Sequence, residues 1–147
     1  MVRTFDILGA NVLIVDDQEA HVLLLERMLR GAGYTCIQST TDPCEVCELH
    51  RQSHFAAILL DLKMPEMDGF QVMEALKEIE TDLDLPVLVI TAEPGDKLRA
   101  LKAGARDFVS KPLDLADVLM RVHNMIEVRL LHLETKRFYS QRAEEHQ

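Results

Sequence analysis

Short runs of consecutive apolar residues alternate along this chain with longer segments in which apolar residues recur at helical spacing. A run that is apolar at every position indicates a strand buried on both faces, as in a parallel sheet covered by helices. Strands are therefore predicted at 11–15 (NVLIV), 35–38 (TCIQ), 56–60 (AAILL), 86–90 (PVLVI) and 107–109 (DFV). Helices are predicted between and after them, at 18–31, 42–53, 69–80, 95–103 and 113–134. Strict alternation predicts a doubly wound α/β fold with right-handed crossovers.

The last predicted helix carries an apolar stripe that continues past the edge of such a sheet. The stripe consists of Leu119, Val122, Ile126, Leu130 and Leu133, with steps of 3, 4, 4 and 3 residues. This spacing is close to that of a coiled-coil seam, and an overhanging apolar stripe requires a partner. We expect either a dimer seam or a connector to another domain. The alternative is a helix that packs back onto its own domain.

Composition and charge narrow the classes of partner. The 147 residues include 16 Lys and Arg against 25 Asp and Glu, which gives a net charge of −9. The chain has no basic stripe, which argues against nucleic-acid binding. It also lacks a long apolar span and a secretion signal, so we expect no membrane segment and a cytoplasmic location. Three cysteines, an odd number, fit reduced thiols in that compartment.

Charged and hydroxyl side chains follow four of the predicted strands. Asp16 and Asp17 follow the first, Asp61 the third, Thr91 the fourth and Lys111 the fifth. Ligands of open parallel sheets bind at the carboxyl ends of the strands, so we expect these side chains to converge. Clustered carboxylates repel one another and favour a hard cation such as Mg²⁺. With an ammonium and a hydroxyl group beside them, they favour phosphoryl transfer, in which a carboxylate can be the nucleophile.

Each of these residues also has a purely structural explanation. An aspartate after a strand often caps the next helix, which for Asp17 alone would be the favoured interpretation. A threonine at a strand end can satisfy a turn, and a lysine can be merely solvated. The joint pattern across four strands carries the prediction, and no single residue does.

Two cysteines and two histidines within one predicted helix have the spacing of zinc ligands. They are Cys44, Cys47, His50 and His54. Along one helix they are spread over about 15 Å at roughly 1.5 Å of rise per residue. One zinc ion, with ligand bonds of about 2.0–2.3 Å, cannot bind all four. We interpret them as core thiols and surface histidines.

Four segments together resemble the receiver domain of bacterial two-component response regulators, the CheY-like family. They are VLIVDDQ (12–18), ILLDLKMPEMDGF (58–70), VITA (89–92) and DFVSKPL (107–113). The resemblance covers about residues 10–130 and implies a flavodoxin-like five-stranded sheet of order 2-1-3-4-5 with helices on both faces. We accordingly divide the chain into an N-terminal extension (1–10), a receiver domain (11–126) and a helical extension or linker of coiled-coil type (127–147).

The resemblance implies a phosphoacceptor and a metal site among the acidic residues. Asp61 matches the aspartate that accepts the phosphoryl group. Asp17 and Asp61 match the direct Mg²⁺ ligands, and Asp16 matches the residue that holds the ion through water. Lys63 matches the position whose backbone carbonyl completes the metal shell.

The resemblance also implies two catalytic partners of Asp61 and a conformational switch. Thr91 matches the hydroxyl that moves toward the phosphoryl group, and Lys111 matches the lysine that pairs with it. Thr91 and Phe108 match the two switch residues. The peptide bond between Lys111 and Pro112 is expected to be cis, as in the family.

The function so implied is a phosphorylation-activated signalling switch. A sensor histidine kinase or a phosphotransfer protein would phosphorylate Asp61. The chain would be no enzyme beyond its own phosphotransfer and autodephosphorylation. The change would reach the face formed by 95–103, 107–109 and 113–134, through which, together with the C-terminal helix, we expect a homodimer. An output domain beyond residue 147 is also compatible with the helical extension.

Two other functions stay open at this point. An aspartyl-nucleophile phosphohydrolase dependent on Mg²⁺ has its carboxylates at strand ends too, but would require an acid where Lys63 stands. A scaffold with the receiver fold and no phosphorylation would need none of this chemistry. A flavin carrier on the same sheet is less favoured, because no phosphate-binding loop follows the first strand.

Overall fold

The sheet has the predicted composition and order. The computed structural model describes residues 2–80 and 85–145, with side chains described up to residue 140. Five parallel strands form one sheet in the order β2-β1-β3-β4-β5, which confirms the predicted fold. The strands are β1 (Asn11–Val15), β2 (Cys36–Thr40), β3 (Ala57–Asp61), β4 (Val87–Thr91) and β5 (Asp107–Ser110).

Helices connect successive strands and flank the sheet at both ends of the described chain. They are α1 (Thr4–Leu8), α2 (Glu19–Gly31), α3 (Val46–Ser53), α4 (Gly69–Lys77), α5 (Asp96–Lys102) and α6 (Leu115–Glu145). A 3₁₀ turn, Pro43–Glu45, leads into α3, and the Asp42 carboxylate caps it by accepting the Cys44 N–H at 2.9 Å. The predicted boundaries agree to within four residues, except that α6 continues to Glu145, eleven residues beyond the predicted end at 134.

Two separate cores bury the two faces of the sheet. Val12 and Ile14 of β1 point into a core shared with α1, α2 and α6. Leu13 and Val15 point the opposite way, into a core shared with α3, α4 and α5. Successive strand side chains alternate between faces, so burial on both faces requires an apolar residue at every position. This is why β1, β3 and β4 are continuous apolar runs in the sequence. The edge strand β2 is mostly exposed, so the prediction of burial on both faces is wrong for that strand.

Helix α6 packs most of its apolar stripe against its own domain. Val122 and Ile126 are fully buried, and Leu119 and Leu130 are partly buried against the same core. Among the residues of the predicted seam, Leu133 is exposed. Packing onto its own domain, the alternative weighed above, therefore accounts for four of the five. No helix in the described part of the chain, the 31-residue α6 included, combines the length and apolar composition of a membrane span.

The N-terminal extension contains a helix that the sequence did not predict. Ile7 of α1 is buried in the core, and the Leu8 carbonyl accepts the Thr35 N–H at 3.1 Å. Residues of α1 and α6, among them Phe5 and Leu133, line a shared groove. Helix α1 thus lies beside the part of α6 around Leu130 and Leu133, where α6 extends past the sheet.

A buried network of charged and polar groups joins α3 to α6 at the end of the sheet where the strands begin. His50 is 1% exposed, and its Nδ1 accepts the Phe55 N–H at 3.1 Å. Its Nε2 therefore carries the hydrogen and donates it to Glu80 Oε1 at 2.6 Å. The guanidinium of Arg129 donates to the same carboxylate oxygen. The interpretation as core thiols and surface histidines is wrong for His50, which is buried, and for Cys44, which is exposed.

This network makes the fold less stable in acid. Burial lowers the pKa of His50. Burial alone would raise the pKa of Glu80, but the hydrogen bonds from His50 and Arg129 hold it below its usual value. Both groups bind protons more readily in the unfolded chain, so their stabilisation is complete above pH ~6.5 and is lost as the pH falls.

We expect the free energy of unfolding to fall as the pH drops below about 6.5, and this dependence to be weaker in His50→Gln. Urea denaturation at a series of pH values measures it. His132→Gln, at an exposed histidine of α6, is the matched control and should keep the wild-type dependence. Equal pH dependence in the two variants would contradict this assignment.

Candidate functional site

Three carboxylates converge where β1 and β3 end. One oxygen atom from each of Asp16, Asp17 and Asp61 lies within 4.8 Å of the other two. Asp16 is 2% exposed and Asp61 4% exposed. The neighbouring pairing of β1 with β3 places these ends side by side, as the sequence predicts for parallel strands. The result is a compact cluster of acidic groups largely removed from water.

The two adjacent aspartates differ in their hydrogen bonds. Asp16 Oδ1 accepts the Gln18 N–H at 2.9 Å, and Asp16 Oδ2 lies 3.0 Å from His21 Nδ1. Asp17 Oδ1, in contrast, is buried and has no hydrogen-bond partner among the described residues. A buried carboxylate oxygen without a partner is costly, and a bound cation would satisfy it. The cluster therefore fits a hard divalent cation such as Mg²⁺.

The acidic cluster also shifts the titration of Asp61. Burial and the negative charge of Asp16 raise the pKa of Asp61, and Lys111 offsets part of this effect. The Lys111 Nζ lies 3.5 Å from Asp61 Oδ1, and the Lys63 N–H approaches the same oxygen at 3.5 Å. One ammonium group therefore leaves the negative charge of the cluster only partly compensated, which favours a second positive charge.

Thr91 lies at the end of β4 with its hydroxyl engaged by the loop that follows. It is buried, its Oγ1 accepts the Glu93 N–H at 3.1 Å, and it donates to Asp96 Oδ2 at 3.4 Å. The hydroxyl is thus held by the loop after β4 and by the first residue of α5. Two moderate hydrogen bonds hold it there, and such bonds can be exchanged for others at small net cost.

Phe108 is half-buried on β5, with a cation from each flanking helix near its ring. The Lys97 Nζ of α5 lies 5.0 Å from the ring centroid, and the Arg121 Cζ of α6 lies 5.8 Å away. Arg121 is itself held by two hydrogen bonds to Asp107, at 2.8 and 2.9 Å. Cation–π attraction at such distances contributes roughly 0.5–1 kcal/mol at exposed sites. The ring thus joins the face formed by α5, β5 and α6.

Comparison with known proteins decides the family. Residues 12–123 match the model of the response regulator receiver domain. The chain belongs to this family. Its curated relatives include the response regulator PleD of Caulobacter vibrioides, which is 37% identical over 126 residues, or 84% of this chain and 28% of PleD. The DNA-binding dual master transcriptional regulator RpaA of Synechocystis sp. is 36% identical over 118 residues, or 79% of this chain and 48% of RpaA. The receiver domain thus spans between about a quarter and a half of these relatives.

Solved receiver structures share the fold. The receiver domain of the sensor histidine kinase PA1611 from Pseudomonas aeruginosa PAO1, which has a magnesium ion coordinated in its active-site cleft, superposes with a TM-score of 0.72 at 26% identity. The match covers 81% of this chain and 98% of that domain. A chain of the CheX–CheY–BeF₃–Mg²⁺ complex from Borrelia burgdorferi superposes with a TM-score of 0.70 at 31% identity, covering 78% of this chain and 87% of that one.

The predicted site residues of this receiver domain differ in how closely they approach the acidic cluster. The carboxylates and Lys111 come together, and the Lys111–Pro112 peptide bond is cis, as the resemblance implies. The side chain of Lys63 is 65% exposed and pairs with Glu93, so only its backbone faces Asp61. Thr91 is bonded to the loop after β4 and to the first residue of α5, and the ring of Phe108 lies near one cation of α5 and one of α6.

Sequence reasoning missed one residue of the receiver site. His21, in the first turn of α2, contacts Asp16, although nothing in the apolar pattern distinguishes it. The available signal was its spacing of five residues from Asp16. Because a strand end and the first turn of the next helix lie side by side, that spacing allows a side chain to reach back.

A glycine packs closely against the chain beyond Asp61. Gly69 begins α4, and its N–H donates to the Leu62 carbonyl at 3.0 Å. A Cβ at this position would lie 2.7 Å from Leu62 Cδ2 and 2.9 Å from Leu62 Cα. Because a backbone atom cannot move away as a side-chain end can, any larger residue would displace the segment that follows Asp61.

We expect Gly69→Ala to destabilise the receiver domain by about 1–3 kcal/mol, the usual cost of overpacking. Urea denaturation measures the loss. Gly31→Ala is the matched control, because a Cβ on that residue of α2 meets nothing within 4 Å. The control should be neutral or slightly stabilising, since alanine favours helix over glycine. Equal stability of the two variants would show that the segment accommodates the methyl group.

Proposed function

We propose that this receiver domain is a Mg²⁺-dependent phosphoacceptor switch that acts in the cytoplasm. Asp61 would accept a phosphoryl group from the phosphohistidine of a sensor histidine kinase or of a phosphotransfer protein. The observation that carries this proposal is the acidic cluster, in which Asp17 has a buried, unpartnered oxygen and Lys111 stands at ion-pair distance from Asp61. It supplies a cation site and a nucleophile within one small volume.

The hydrogen bonds favour distinct roles for the acidic residues toward Mg²⁺. Asp17 and Asp61 would bind the ion directly, together with the backbone carbonyl of Lys63. Asp16, whose two oxygens each already contact a neighbouring group, would hold it through water. When bound, the ion neutralises the carboxylates and the phosphoryl oxygens, which phosphoryl transfer requires.

The chain's own groups would carry out the transfer. An oxygen of Asp61 attacks phosphorus, the P–N bond of the phosphohistidine breaks, and its electron pair stays on the imidazole. The product is an acyl phosphate. The ammonium group of Lys111 would pair with the phosphoryl oxygens, and the hydroxyl of Thr91 would donate to one of them. Water would later attack phosphorus, the P–O bond to Asp61 would break, and inorganic phosphate would leave. The domain would therefore act catalytically only on itself.

Movement of Thr91 connects this chemistry to the face formed by α5, β5 and α6. Its hydroxyl would leave Asp96 and the Glu93 N–H for the phosphoryl group. We propose that Phe108 then changes its position, which would alter its contacts with Lys97 and Arg121. This face, with the end of α6, is the proposed homodimer surface. Since PleD and RpaA are longer than this chain, an output domain beyond residue 147 is part of the proposal.

The residue two positions after Asp61 argues against the aspartyl-nucleophile phosphohydrolase. That enzyme class would need an acid there, whereas the side chain of Lys63 points outward to Glu93. A scaffold without phosphorylation is distinguished by the first experiment below.

We expect the protein to gain the mass of one phosphoryl group when it is incubated with Mg²⁺ and a small-molecule phosphodonor. Asp61→Asn should gain none, and neither should the wild type in EDTA. Intact mass spectrometry measures the gain. Asp68→Asn, which alters the half-buried cap of α4 outside the acidic cluster, is the matched control and should be modified. If neither small-molecule donors nor any of a panel of histidine kinases modifies the wild type, the proposal is contradicted. The scaffold without phosphorylation would then be the remaining explanation.

We expect the phosphorylated protein to have twice the molar mass of the unmodified one in solution, measured by light scattering after size exclusion. Asp61→Asn should keep the unmodified value. A dimer in both states would make the helical extension a constitutive connector. A monomer in both states would contradict the proposed dimer surface.

A further inference from the structure

We infer that His21 is a positioning residue of the metal site, holding the Asp16 carboxylate in the orientation in which the acidic cluster binds its cation. The inference rests on the proposed Mg²⁺ dependence and deepens it. It assigns a role to a side chain that binds neither the ion nor the phosphoryl group.

Both carboxylate oxygens of Asp16 have a hydrogen-bond partner. Its Oδ1 accepts the Gln18 N–H at 2.9 Å, and its Oδ2 lies 3.0 Å from His21 Nδ1. Each carboxylate oxygen has two lone pairs, so each retains one for a water molecule or an ion. The Asp16 carboxylate is therefore held in one orientation, and both of its oxygens can still accept a further hydrogen bond. Asp17, its neighbour, retains an oxygen that the described chain does not satisfy.

The direction of the hydrogen bond follows from chemistry. An ionised carboxylate can only accept, so His21 Nδ1 carries the hydrogen and donates it. The imidazole is 40% exposed and lines a cavity together with Leu24, Pro112 and Leu113. The imidazole is carried by the first turn of α2, and its contact with Asp16 Oδ2 joins that turn to the acidic cluster.

A hydrogen bond of this kind has a measurable effect on metal binding. Groups that lie beyond the direct ligands of a metal ion and hold its surroundings in place typically change metal affinity by about 10–100-fold when mutated. His21 would act in this way through Asp16, which must otherwise be ordered when the hydrated ion binds. The turn before α2 does not depend on His21, since Asp16 Oδ1 already accepts the Gln18 N–H. A positioning role is therefore separable from a structural one: the first changes Mg²⁺ affinity, and the second changes stability.

The experiment compares two substitutions at His21. His21→Phe keeps a ring of similar size for the pocket and removes the N–H donor. His21→Asn places an amide N–H where Nδ1 stands and should rescue binding. His123→Phe is the matched control, because His123 is also 40% exposed and lies 3.6 Å from a carboxylate, that of Glu127, outside the site.

We expect His21→Phe to raise the dissociation constant for Mg²⁺ by about 10-fold or more, and His21→Asn to stay within about threefold of the wild type. Titration calorimetry at one fixed pH measures this directly. His123→Phe should bind as the wild type does. Urea midpoints in EDTA should be alike for the wild type and both His21 variants. Phosphorylation of His21→Phe should approach the wild-type rate at saturating Mg²⁺.

Wild-type affinity in His21→Phe would overturn the inference. So would equal weakening in both His21 variants accompanied by lower urea midpoints in EDTA, which would show a structural role. These failures differ from a failure of the proposed function, in which the wild type itself binds no Mg²⁺ and takes up no phosphoryl group.

Discussion

Crowding of three carboxylates at one edge of the sheet is the constraint on which the rest of the structure depends. Asp16 and Asp61 are nearly inaccessible to water, and like charges removed from water repel strongly. Their proximity is maintained by the parallel pairing of β1 with β3, whose side chains anchor both cores. The hydrophobic packing of the sheet therefore offsets an unfavourable electrostatic arrangement, and a cation would relieve it.

Contacts around the cluster divide it into fixed and available groups. Asp16 is engaged at both oxygens, Asp61 shares one oxygen with Lys111, and Asp17 has an oxygen left over. A site in which every carboxylate was satisfied by the protein would have little affinity for an ion. A site in which none was satisfied would cost more stability. In this site Asp16 is already oriented by hydrogen bonds, whereas Asp17 has an oxygen free to bind an ion. Such a site suits an ion that keeps some of its water molecules.

The parallel sheet and the convergence of the acidic residues were predictable from local patterns, whereas the strand order came from the resemblance to the receiver family. Continuous apolar runs report burial on both faces, and the residue after each run marks the carboxyl edge. Helix α1 escaped prediction because five residues do not form a stable helix alone, so its existence depends on Ile7 packing into the core. The burial of His50 was not predicted either, because its hydrogen-bond partner, Glu80, is thirty residues away in the sequence.

Helix α6 connects the two ends of the sheet. It begins at Leu115, four residues after Lys111, whose ammonium group lies 3.5 Å from Asp61. Further along α6, Arg129 donates a hydrogen bond to Glu80 at the opposite end of the sheet. Between these points Val122 and Ile126 are buried in the core, so this part of the helix moves only if the packing changes. In the proposed switch, a change at Phe108 therefore reaches the helical extension most directly through displacement of α6 as a rigid rod. The buried network around Glu80 would resist such a displacement, because His50 and Arg129 both donate to its carboxylate.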